Sequence, residues 1–373
     1  MEESAFAAAI RQVREAGGDL LDLTVSNPTA CGFRYNADAI LGSLGDRRAL
    51  LYDPDPRGVR SAREAVAAYY AGHGASVAPD DIVLTTSTSE AYSFVFRLLC
   101  DAGDEVLIAR PGYPLFDFLA TLDDVRLRSY PLFYDHGWWI DFAEMERAIS
   151  PRTKAVVVVH PNNPTGHATA AAERVRLLEM CARRGLALVV DEVFLDYPHR
   201  ASETVPSFAA GEHPVPMFVL SGMSKIAGLP QMKAAWVAVS GPAIAKSEAL
   251  GRLAVIADTF LSMNAPVQMA LPSWMEGAAD VRDQILGRVR ANLETIRAGG
   301  VPMLRSDAGW SAVLRLPQRG GEAVEMELLG RGLIVHPGSF YGMAEDARVV
   351  VSLLTPEADL GVGMERLRRY CEV

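Results

Sequence analysis

Short, continuously apolar runs alternate with amphipathic stretches along most of this 373-residue chain. From about residue 58 the period switches repeatedly. Helical spacing over 60–70 gives way to an apolar run at 82–85, helical spacing over 89–100 to a run at 105–109. The β-branched run 155–160, the helical stretch 170–183 and the runs at 187–190, 217–220 and 234–239 continue the alternation. Short strands that are apolar on both faces and separated by helices predict an α/β fold, with a mostly parallel central sheet covered by helices. The chain ends read differently. Ser4 is a candidate N-cap for a helix over 4–16 that stops at Gly17-Gly18, and a strand follows at 20–25. In the tail, a long charged helix over 278–298 leads to shorter strands near 311–316, 333–335 and 349–354. The pattern predicts a large domain over 46–270 and a smaller α/β domain assembled from 1–45 and 271–373.

Composition narrows the partners. The length suits about two domains, each with ample core. Half the residues are hydrophobic and 22% are charged, as in globular proteins. A net charge of −10 offers no basic footprint for nucleic acid. No run approaches the ~18 apolar residues of a membrane span, and no basic region precedes an apolar one at the N-terminus. Cys31, Cys100, Cys181 and Cys371 are far apart with no C-x-x-C pair, which suits free thiols in a cytoplasmic protein. The seven histidines fall into no ligand spacing, so no metal is expected.

Lysine is scarce. Only Lys154, Lys225, Lys233 and Lys246 occur, the other 32 of the 36 basic residues being arginine. Lys225 lies in an apolar stretch punctuated by Gly and Ser, 220–229. A primary amine in such a setting is a candidate for a Schiff base with an aldehyde, against the ordinary reading of a solvated lysine after a strand. In doubly wound sheets ligands bind at the carboxyl ends of the strands. Here run 82–85 is followed by Thr86-Ser87-Thr88-Ser89-Glu90 entering a helix, which is either an anion site or an N-cap cluster. Tyr113 follows run 105–109, as a ring to stack on a planar ligand or as a cover for the core. Asn162-Asn163 follows 155–160, and Asp191 follows 187–190, where it needs a cation or donors to stay charged. Together these ends offer a phosphate cradle, an aromatic, an amide, a carboxylate and a lysine, the parts required by pyridoxal 5′-phosphate (PLP).

With these tracts in their order, and with His336-Pro337-Gly338-Ser339-Phe340 beyond them, the chain resembles the class I/II aminotransferases over about 20–354. These are PLP enzymes of fold type I, typified by aspartate aminotransferase. The resemblance implies that Lys225 is the Schiff-base lysine and moves the substrate proton. It also implies that Asp191 pairs with the ring nitrogen, Asn163 donates to the ring oxygen and Tyr113 stacks on the ring. Ser87, Thr88, Ser89, Ser224 and Lys233 would hold the phosphate. Tyr52 would reach the partner subunit's phosphate, so a homodimer with shared active sites is implied. The implied reaction moves an amino group between an amino donor and a 2-oxo acid. A PLP lyase or decarboxylase on the same fold is the alternative. The sensor half of a transcription regulator would need a DNA-binding domain for which the N-terminus leaves no room. A scaffold without catalysis would require that Lys225 bind no cofactor.

The sequence departs from the family pattern where substrate and cofactor meet. Lys233 stands for an arginine at the phosphate, Phe194 for a tyrosine and Gly222 for a serine. At the position of the arginine that clamps the substrate carboxylate stands Val350, and Ser26, beside Asn27, replaces a glycine of the substrate turn. Arg348, two residues along the same strand face, and Arg34 are the candidate substitutes. The carboxylate is therefore expected to be held unconventionally, or the donor not to be an ordinary α-amino acid.

Overall fold

The structure is a computed structural model that describes residues 4–200, 202–317, 323–343 and 347–372. Its strands are β1 (Leu21–Asp22), β2 (Ile82–Thr85), β3 (Glu105–Arg110), β4 (Arg126–Tyr134), β5 (Trp138–Ile140), β6 (Thr153–Val159) and β7 (Ala187–Asp191). The others are β8 (Met217–Gly222), β9 (Ala235–Ser240), β10 (Ser311–Arg315), β11 (Leu333–Ile334), β12 (His336–Pro337) and β13 (Arg348–Ser352). Eight of them form one sheet in the order β2-β9-β8-β7-β6-β3-β4-β5. Neighbours from β8 to β4 run parallel, while β9 is antiparallel to both β8 and β2, and β5 is antiparallel to β4.

Alternation along the strands explains the layers. Val156 and Val158 of β6 join Leu188 and Val190 of β7 in the core on one face of the sheet. Ala155, Val157 and Val189 join Phe218 and Val237 in the core on the other. A strand buried on both faces has to read as an unbroken apolar run, as these do.

The smaller sheets draw on both ends of the chain. β1 pairs in parallel with β11, and β10-β13-β12 is an antiparallel sheet. Helix Ala278–Ala298 packs against them through Val281, Ile285, Val289, Leu293 and Ile296, one face at helical spacing. The strand expected at 20–25 is shorter. Asp22 Oδ1 accepts from both the backbone N–H (2.9 Å) and the hydroxyl (2.5 Å) of Thr24, so a side-chain-locked turn replaces the ladder after Asp22. Ser4 does cap helix Ala5–Glu15. Among the described residues no helix is long and apolar enough to cross a membrane.

Two contacts close the small sheets over the carboxyl ends of the central strands. Gly166 O accepts from Asp307 and Ala308 N–H, and Asn163 Oδ1 accepts from the Ser311 hydroxyl at 3.3 Å. A cavity of about 530 Å³ lies beneath.

Candidate active site

Five strands of the central sheet, β2, β3, β6, β7 and β8, lead at their carboxyl ends into polar residues that line this cavity. β7 ends on Asp191. Asp191 Oδ2 accepts from Tyr92 OH at 3.0 Å, and its Oδ1 accepts from Val193 N–H at 3.1 Å. β6 leads into the turn that carries Asn163. β2 leads into helix Thr88–Leu99, whose N-cap Ser87 accepts from Glu90 N–H at 3.1 Å. The N–H groups of Thr88 and Ser89, in the first turn, have no partner among the described residues. Such orphan donors at a helix start form a site for an anion.

β8 ends on Gly222, and the helical turn Met223–Ile226 follows with Ser224 and Lys225. A Cβ at Gly222 would lie 2.9 Å from both Ala234 O and Ala235 Cβ. The absence of a side chain there lets β9 approach, which accounts for glycine where the family pattern has serine.

The electrostatics follow from enclosure. Burial lowers the Lys225 pKa to about 8, although the nearby Asp191 charge pulls it up. Lys225 keeps some solvent contact, but only through the cavity. Its Nζ stands 4.6 Å from the Trp310 ring centre and 5.5 Å from that of Phe194, cation–π contacts that replace part of the lost hydration. Burial raises Asp191 to about 6, the bonds from Val193 and Tyr92 and the charge of Lys225 opposing it. Two donors are therefore not enough to hold this carboxyl in the usual range. A cationic ligand beside it would supply what is missing.

The cavity brings together Ser26, Ser87, Thr88, Ser89, Tyr113, Asn163, Asp191, Ser224, Lys225 and Lys233. It does not bring in the remaining expected residues. Asn27 is exposed and caps the short helix Pro28–Ala30. Tyr52 is exposed and lines a separate surface recess with Leu51 and Leu261. Arg34 is exposed and exchanges backbone hydrogen bonds with the Gln284 side chain. Arg348 shares a strand face with Val350, but two residues along a strand is about 7 Å. Its guanidinium sits 5.7 Å from the Trp138 ring centre, and Val350, not Arg348, lines the cavity.

Tyr92, Trp310, His336 and Tyr341 also line the cavity and carried no expected role. For Tyr92 the available signal was a hydroxyl-bearing ring among the core positions Ala91, Val95 and Phe96 of its helix. For His336 it was the tract 336–340 itself. Among the described residues no group of three or more His, Cys, Asp and Glu is placed to hold a metal.

Known proteins share this architecture and sequence. Over 95% of this chain and 86% of the relative, it is 26% identical to alanine aminotransferase of Mycobacterium tuberculosis. Identity to the glutamate-pyruvate aminotransferase of Escherichia coli is 24%, over 74% of this chain and 68% of that one. A single mutant of Thermus thermophilus aspartate aminotransferase superposes with a TM-score of 0.79 at 25% identity, covering 99% of this chain and 97% of its own. The Pyrococcus furiosus alanine aminotransferase matches in fold over 100% of both chains, with a TM-score of 0.84 at 20% identity. The family described as aminotransferase class I and II matches residues 19–367, and the chain belongs to that family.

Proposed function

We propose that Lys225 is the covalent catalyst of this aminotransferase and that PLP is its cofactor. The chain moves an amino group between an amino donor and a 2-oxo acid, as its family membership and its aminotransferase relatives show. The observation that carries the proposal is one cavity lined by an enclosed amine, an under-compensated carboxyl and a helix start with free N–H groups. These three features fit the aldehyde, the ring nitrogen and the phosphate of PLP respectively. Bound there, the cofactor supplies an aldehyde for amines and a ring that takes up negative charge from the substrate carbon.

The chain's own residues do the rest. Thr88 and Ser89 N–H, the hydroxyls of Ser87, Thr88, Ser89 and Ser224, and the Lys233 ammonium would hold the phosphate. Lys233 would do so as a point charge rather than a planar fork. Asp191, positioned by Tyr92, would keep the ring nitrogen protonated. Tyr113 would cover one ring face, and Asn163 would donate to the ring oxygen. Enclosure keeps a fraction of Lys225 Nζ neutral near pH 7, the form that would be available to the aldehyde and would hold and return the proton of the donor carbon.

Tyr52 lies outside its own cavity, on an exposed apolar stretch with Leu50 and Leu51. We assign it to the phosphate of a second copy, in a homodimer with shared sites. We assign residues 46–270 to a large cofactor-binding domain and 1–45 with 271–373 to a small one, and the four free thiols favour the cytoplasm.

The test is spectroscopic. The PLP-loaded protein is expected to show a visible absorbance band that amino donors convert to the pyridoxamine form. Lys225→Ala should abolish the band while the protein stays folded by circular dichroism. A band that survives in that variant removes Lys225 from the role, and keto product formed without cofactor conversion points to lyase chemistry.

A further inference from the structure

Resting on the assignment of Lys225 and its cofactor to this cavity, we propose that the substrate's α-carboxylate is held by neutral donors, the paired hydroxyls of Ser311 and Ser352 and the amide of Asn163. Such a subsite binds a carboxamide nearly as well as a carboxylate. Strand register brings the hydroxyls together. In the antiparallel pair β10–β13, Ser311 lies opposite Ser352 and Val313 opposite Val350. Directly opposed side chains share a face, with Cβ atoms about 5 Å apart. That face is the cavity side. Val313 and Val350 join the core of the central sheet, whereas Ala312, Leu314, Val349 and Val351 join the core under the small sheets. Ser311, Val350 and Ser352 line the cavity. Two hydroxyls so spaced can reach the two oxygens of one carboxylate. They also stand next to the chemistry, since Ser311 follows Trp310, whose ring centre is 4.6 Å from Lys225 Nζ.

The donors are available. Ser352 is 5% exposed; its hydroxyl oxygen accepts from Leu354 N–H at 3.2 Å, and the hydroxyl proton has no acceptor among the described residues. A buried donor left in that state is costly until an acceptor arrives. The Ser311 hydroxyl donates to Asn163 Oδ1 at 3.3 Å, a long bond that an ionised acceptor outcompetes. The same bond leaves Asn163 Nδ2 with two protons, one for the ring oxygen and one for the carboxylate. Thr24 lines the cavity too, but its N–H and hydroxyl both donate to Asp22 Oδ1, so it offers only lone pairs. Among the described residues that line the cavity, the cations are Lys225 and Lys233, which the reading above assigns to the aldehyde and the phosphate. A carboxylate accepting from hydroxyls and an amide makes charge-assisted hydrogen bonds without a cation. A carboxamide keeps an acceptor oxygen for them, can donate to Thr24, and costs less to take from water. An arginine clamp would instead be left buried and unpaired by the amide, a loss of about a hundredfold or more.

The experiment measures binding to the PLP-loaded protein by calorimetry. 3-Phenylpropanoate and 3-phenylpropanamide share an apolar body suited to a cavity lined by Phe194, Trp310 and Phe340, and neither has an amine to react. Their Kd values are expected to agree within about tenfold. A larger preference for the propanoate overturns the proposal, as does a propanoate that fails to bind at ~10 mM. Ser311→Ala and Ser352→Ala are each expected to weaken the propanoate about fivefold or more, with the visible band and PLP retention unchanged. Ser311→Ala removes a side chain bonded only to Asn163, so it stands as a test if Ser352→Ala fails to fold. Wild-type affinity in folded Ser311→Ala overturns the role of the pair. Arg348→Ala should leave both affinities as they are, because its guanidinium lies at the Trp138 ring; a loss of about tenfold there would put an arginine in the subsite and overturn the proposal. Val350→Arg should shift the propanoate-to-propanamide ratio about tenfold toward the propanoate, and a folded variant with the wild-type ratio counts against the location. Failure of the wild-type protein to form the band overturns the Lys225 assignment beneath the proposal.

Discussion

Lys225 shows how enclosure trades stability for reactivity. A lysine whose pKa falls from 10.5 in the open chain to about 8 in the folded one is costly to bury charged. Because the folded-state value is the lower one, the unfolded chain binds more protons between about pH 8 and 10.5, and stability rises with pH across that window. The shift corresponds to an upper bound of about 3 kcal/mol at pH 7. The Trp310 and Phe194 rings return part of it. Lys225→Met keeps the volume and removes the charge. The cofactor-free variant is therefore expected to melt at least about 2 °C above wild type at pH 7. The gap should narrow as pH rises from 8 to 10. Differential scanning calorimetry of both proteins across that range checks it. A variant that melts at or below wild type at pH 7 would show that the burial carries no cost.

At the scale of elements, the turn after β6 is the joint between the central sheet and the small sheets. Gly166 has φ +67°, and a Cβ there would meet Ser306 Oγ at 1.9 Å and Ala308 O at 2.4 Å. Gly185, at the end of helix Ala171–Arg184, has φ +65° but nothing within 4 Å. The two positions share a backbone conformation and differ in space. Gly185→Ala should cost about 1 kcal/mol, the conformational term alone. Gly166→Ala adds overpacking against backbone and should cost about 3 kcal/mol in total, loosening Asn163 and cofactor retention with it. Urea midpoints of the two variants separate the terms, and equal losses would mean that the joint yields freely. The same joint marks the limit of what the sequence revealed. β6, β7 and helix Ala278–Ala298 were legible because full burial or one-sided burial leaves a period in the residues. Helix Ala243–Phe260 was not, since Ala249, Leu253 and Ala257 are buried while Ile244, Val255 and Phe260 face outward. Strand β4 was missed because Arg126, Arg128 and Ser129 are exposed and its apolar positions cluster late. In the cavity, polar residues that end apolar runs could be read in order. The Tyr92–Asp191 bond spans 99 residues, and no local pattern encodes it.

At the scale of the whole molecule, the exposed apolar surface argues for a second copy. Leu50, Leu51 and Tyr52 are 87%, 68% and 82% exposed in succession, and Leu261, 72% exposed, lines the same recess as Leu51 and Tyr52. A run of large apolar residues this open is unusual for a monomer, and a two-fold contact would bury each patch once on either side of the axis. Such a contact would also give Tyr52 a function that its position outside its own cavity denies it. The wild-type protein is therefore expected to have twice the 40.3 kDa chain mass by light scattering at micromolar concentration. Leu51→Asp with Leu261→Asp places like charges in that contact and should yield the single-chain mass, with cofactor lost on gel filtration because each phosphate is deprived of its partner tyrosine. Tyr52→Phe separates the two effects. It keeps the ring and the dimer and removes only the hydroxyl, so it should weaken PLP binding about tenfold with the mass unchanged. A wild-type monomer, or a Tyr52→Phe dimer with undiminished PLP affinity, would mean that each cavity is complete within one chain.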